Sequence, residues 1–76
     1  MVDAGENAQV RVEVRRLLRL LVQEAKRQGC LEEARRFPGV FAAFALLDPV
    51  IANAVGQEVV TLDDLVVWLA VLLSQA

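Results

Sequence analysis

From Asn7 to Gln28 the apolar positions recur every three or four residues. Val10, Val14, Leu17, Leu18, Leu21 and Ala25 share one face, with charged residues filling most of the remainder. That spacing predicts an amphipathic helix. Gly29 is suited to end it, because the residue after a helix commonly takes positive φ, and Lys26 and Arg27 oppose the negative end of the helix dipole. Residues 1–6 carry no periodic pattern and are expected to form a flexible N-terminus.

Cys30 to Arg36 gives a second short helical piece, which the Phe37-Pro38-Gly39 run should stop, since Pro38 disfavours α geometry at Phe37. Val40 to Leu47 is an unbroken apolar run. Its alanines and leucines favour helix over strand, so a buried helix is expected there. Asp48-Pro49 reads as an N-cap followed by proline at the first helical position, opening a helix that closes at Gly56. Gln57 to Val60 reads as extended. Thr61, with Asp64 three residues on, forms an Asp version of the capping box and opens a last helix from Leu62 to about Gln75. The sequence therefore describes an all-α protein: a single helical domain over residues 7–76, built as a bundle of four to five short helices.

The last helix lacks a polar face. Leu62, Leu65, Val66, Leu69, Leu72 and Leu73 occupy one arc, and Val67, Trp68, Ala70 and Val71 take much of the rest. A helix in so small a bundle turns only part of its circumference inward, so an apolar remainder marks a contact surface. Val67, Trp68, Val71 and Leu72 are the first candidates for an oligomer or partner interface. Phe37, Phe41 and Phe44, spaced at helical intervals, are the second.

Composition sharpens that expectation. A chain of 76 residues, 57% of them hydrophobic, buries about 60% of its extended surface on folding. Apolar burial and lost chain entropy then each reach the order of 100 kcal/mol and nearly cancel. Small domains usually add a staple. With one cysteine and no histidine, neither an intramolecular disulfide nor a structural zinc site can be assembled, which leaves oligomerisation.

The net charge of -2 conceals two unlike halves. All eight bases lie between positions 11 and 36, with four glutamates among them. Residues 37–76 hold Asp48, Glu58, Asp63 and Asp64 and no base at all. Of the 43 apolar residues, 27 fall in the last 40 positions. On the first helix Arg11, Arg15, Arg19 and Lys26 form a stripe about 80° wide, with Arg16 and Arg27 further round. Such a stripe can meet an acidic partner. The alternative is a nucleic-acid footprint in which these cations contact phosphates, although the acidic half opposes it.

Chemical motifs are sparse. Without histidine the commonest general acid–base is missing, and Ser74 and Thr61 have no base to activate them, so no catalytic residues are assigned and no enzyme activity is expected. The adjacent carboxylates Glu32-Glu33 and Asp63-Asp64 point about 100° apart on a helix and fit helix N-termini. Gly56 to Leu65 faintly resembles the second half of an EF-hand, but the acidic ligand run is absent. A helix-turn-helix fails because Val40 to Leu47 offers nothing to read a base edge. No metal, cofactor or small-molecule substrate is implied. Cys30 reads as a reduced, partly buried thiol. No basic-then-apolar leader opens the chain, and the longest apolar run, Leu65 to Leu73, is far short of the ~20 residues of a membrane span, so a cytoplasmic protein without a membrane segment is expected.

Together these features predict a small interaction or assembly module. It would self-associate, most simply as a homodimer, through the apolar C-terminal helix and the Phe41/Phe44 helix, with the basic first helix as a second face for another protein.

Overall fold

The computed structural model describes residues 4–76, and these form five α-helices: α1 Ala4–Gln28, α2 Leu31–Arg36, α3 Pro38–Ala45, α4 Pro49–Gly56 and α5 Leu62–Gln75. The all-α reading holds, although only four of the helices are short. At 25 residues, α1 runs most of the 42 Å length of a body only 18 by 17 Å across. It begins at Ala4, three residues before the periodic pattern, with Glu6 in its first turn opposing the positive end of the dipole. Of the stretch expected to be flexible, residues 4–6 are helical and residues 1–3 lie outside the described residues.

The helix α5 is the hub. It packs against α1, α2 and α3, and α1 also meets α2 and α4. Leu65, Leu69 and Leu73 of α5 meet a core of Val14, Leu18 and Val22 from α1, Ala34 from α2, Ala42 and Ala45 from α3, and Ile51 and Ala54 from α4. No polar side chain is buried among the described residues. Val22 was not among the apolar face read from the sequence. Its burial turns the inner face of α1 toward the arginine stripe, with consequences for the arginines.

Local chemistry explains the helix boundaries. Gly29 adopts φ 76, with Cys30 N donating to Ala25 O at 2.9 Å and Gly29 N to Lys26 O at 3.2 Å, the Schellman pattern that satisfies the last carbonyls of α1. Asp48 accepts from Val50 N and Ile51 N at the start of α4. At α5, Thr61 Oγ1 accepts from Asp64 N while Thr61 N donates to Asp64 Oδ2, completing the capping box with a shortened acid.

Two expectations need correction. Gln57 to Val60 is a tight reversal and not an extended segment. Val59 N donates to Ala54 O at 2.9 Å and Glu58 N to Val55 O at 3.1 Å, a second Schellman closure in which Glu58, at φ 61, takes the left-handed position that Gly56 does not. The reversal folds Val59 and Val60 into the core, which a straight segment would leave in water. The second correction concerns α3, which begins at Pro38 and is buried on one side only. Its inner side holds Ala42 and Ala45, while Phe37, Val40, Phe44 and Leu47 face out.

Candidate functional site

The outer side of α3 gathers four of the ten large apolar side chains that are exposed among the described residues. Phe37, Val40, Phe44 and Leu47, separated by three, four and three residues, are 59%, 57%, 61% and 78% exposed. No charged residue occurs between Phe37 and Leu47, so nothing on α3 itself breaks the stripe. Pro38 at the first turn and the Asp48 cap after Leu47 fix its two ends. Leu46, Leu47 and Asp48 each donate their N–H three residues back, to Ala43, Phe44 and Ala45, and this tightened turn keeps Leu47 beside Phe44.

Two open grooves flank the stripe. One of about 550 Å³ runs between α3 and the C-terminal half of α1, where Leu21 and Ala25 face Phe41, Phe44 and Leu47. A second, of about 240 Å³, lies toward α2 and is lined by Glu33, Phe37, Val40 and Phe44 among others. Cys30 lines both, as a half-buried free thiol whose Sγ lies 3.5 Å from Ala25 O. A third hollow, lined only by Val40, Ala43, Phe44 and Leu47, runs along the stripe itself. Phe44 borders all three, so the aromatic ring stands at the centre of a continuous apolar surface.

The α5 candidates divide. Val67 and Val71 are 58% and 50% exposed, on the side away from the core. Asp63 and Ser74 are exposed on the same side of the helix, so this patch is smaller and mixed in character. Trp68 and Leu72 are half-buried and pack against the core, as does Phe41 on α3. Sequence reading ranked α5 first because that helix is apolar all round. It ranked Phe37, Phe41 and Phe44 second and missed Val40 and Leu47, and the signal was their heptad-like spacing with Phe37 and Phe44 within a stretch without charge.

The basic stripe is partly committed within the molecule. Arg11 Nε donates to Val59 O at 3.2 Å, holding the α4–α5 reversal against α1. The Arg15 guanidinium lies 4.7 Å from the centre of the Trp68 ring, a cation–π contact that covers the indole. These two arginines sit beside buried Val14, Leu18 and Val22 on the helix, so the rotation of α1 brings them onto its neighbours. Arg16 and Arg27 fork onto Glu13 and Glu24, three residues earlier. Those hydrogen bonds lower the Glu13 carboxyl below its ordinary range, and those from Arg27 and then Gln28 lower Glu24 to about 2. Of the six cations, Arg19 and Lys26 have no such partner among the described residues.

Arg35, outside the stripe, donates from Nε to Leu73 O at 3.0 Å. No base occurs in the last turn of α5, so α2 supplies the cation that its C-terminus lacks.

Among the described residues no group of three or more His, Cys, Asp or Glu could hold a metal ion. No single described helix is long and apolar enough to cross a membrane, and the apolar pair α3 and α4 meets at 99°. No family model, curated protein or solved structure matches the chain at a significant level.

Proposed function

We propose that this protein is a small helical interaction and assembly module that self-associates through its exposed apolar surface, chiefly the outer side of α3. The observation that carries the reading is the exposure of Phe37, Val40, Phe44 and Leu47 on a stretch without charge. Water contact with four large apolar side chains in one patch is costly, and such patches on small proteins commonly mark contact surfaces.

Val67 and Val71 provide a smaller second surface on α5. Arg19 and Lys26 leave positive charge on α1 for an acidic partner. A nucleic-acid footprint has less support, because Arg11, Arg15, Arg16 and Arg27 already have partners inside the chain.

Paired charge substitutions test the proposal. Phe44→Glu with Leu47→Glu places two carboxylates in the stripe, and Val67→Glu with Val71→Glu does the same on α5. Self-association through α3 predicts that the first pair gives a monomer by sedimentation and the second leaves the assembly intact. An assembly lost only with the α5 pair would reassign the interface, and one indifferent to both would remove these surfaces from consideration.

A further inference from the structure

Resting on that reading, we propose that the occupant of the α3 stripe is the same stripe of a second copy, docked antiparallel about a two-fold axis near the middle of α3. The stripe is matched to itself end for end. Reversing the second copy places Phe37 against its Leu47 and Val40 against its Phe44, and symmetry repeats both contacts. Every contact then joins an aromatic side chain to an aliphatic one.

A parallel pairing would stack phenylalanine on phenylalanine at two levels and valine on valine at a third. That alternation of bulky and thin layers packs less evenly than large against small. The antiparallel arrangement also sets the helix dipoles head to tail. Ala43, exposed beside Val40 and Phe44, leaves room for the two backbones to approach.

Area points the same way. The exposed parts of the four side chains come to on the order of 450 Å² per copy. A pair therefore covers roughly 1,000 Å² with the groove walls included, at the lower limit of specific interfaces. Interfaces at that limit go with weak, transient association, so the dimer is expected in the micromolar range.

Disulfide trapping reads the register. On a Cys30→Ser background, Val40→Cys and Phe44→Cys are prepared separately, then oxidised alone and after mixing, with solution mass measured in parallel. The antiparallel pairing predicts a cross-linked dimer in the mixture and at least tenfold less from either protein alone. In that pairing position 40 faces position 44, while positions 40 and 40 lie about one helical turn apart along the axis, beyond disulfide reach. Phe44→Glu should weaken the dimer by roughly 30-fold or more, as expected for the centre of a small interface.

Efficient self-linking of each single variant, with a dimeric mass, would overturn the antiparallel register and leave self-association standing. A monomeric mass for the Cys30→Ser protein at 200 µM, a concentration roughly chosen to exceed a micromolar constant, would overturn both. A monomer that instead binds phosphatidylcholine vesicles, and loses that binding with Phe44→Glu, would assign the stripe to a lipid surface.

Discussion

Replacing Glu58 with glycine should stabilise this protein, although glycine substitutions usually do the reverse. Glu58 sits at φ 61, where a side chain crowds the backbone at a cost of about 1–2 kcal/mol. Glycine removes that cost but loses about 0.5–1 kcal/mol through the freedom it gains in the unfolded chain. The balance favours glycine by about 0.5–1 kcal/mol, which for a domain of this size raises Tm by roughly 3–6 °C. Charge is a second contribution, because a carboxylate just beyond the C-terminus of α4 meets the negative end of its dipole.

Glu58→Ala separates the two. It removes the charge and keeps the crowding, so it should fall within about 0.5 kcal/mol of the wild type. Gly29→Ala is the mirror control. At φ 76, with nothing within 4 Å of the added Cβ, its cost is conformational only, and a loss of about 0.5–1 kcal/mol is expected. Urea and thermal unfolding followed by circular dichroism measure all three, at one fixed low concentration so that self-association does not shift the midpoints. A destabilised Glu58→Gly beside a destabilised Gly29→Ala would refute the reasoning.

Three other outcomes follow from contacts around the core. Arg35→Ala, which leaves the Leu73 carbonyl with only the long bond from Ala76 N at 3.4 Å, should cost about 1 kcal/mol in urea unfolding, and a change below about 0.3 would show that water replaces the guanidinium. Arg15→Ala uncovers Trp68, so indole emission should shift to the red with a loss of about 0.5–1 kcal/mol, whereas an unshifted spectrum would contradict the stacking. Glu24 has a folded pKa depressed to about 2 by Arg27 and Gln28, so its contribution is present above the ordinary value of 4.5 and lost as pH falls toward 2. The Tm difference between wild type and Glu24→Gln should therefore shrink across that interval and with added salt, and a difference constant from pH 7 to 2 would contradict it.

The helix termini were the most legible part of this sequence, because capping is local chemistry. Gly29, Asp48-Pro49 and Thr61 with Asp64 each announce a boundary in one or a few residues, and the structure places one at each. The reversal at Gln57 to Val60 was hidden, since the nearby glycine, Gly56, is helical and the left-handed position fell on Glu58. Its cause is tertiary: Val59 and Val60 have to reach the core. The facing of α3 was hidden for a related reason. When every residue from Val40 to Leu47 is apolar, hydropathy holds no inside and outside, and only the neighbours of the helix decide which side is covered. The arginine stripe was legible as a stripe. That Arg11 and Arg15 lie across Val59 and Trp68 was not, because it depends on the rotation that buries Val22.

The most direct measurement of self-association is the solution mass of the wild-type chain by sedimentation equilibrium across a concentration series. The α3 account predicts a reversible monomer–dimer equilibrium with its midpoint on the order of 1–100 µM, as expected of a weak dimer at the small end of specific interfaces. A mass that stays at one chain throughout the series, or that climbs past two copies without a plateau, would contradict it.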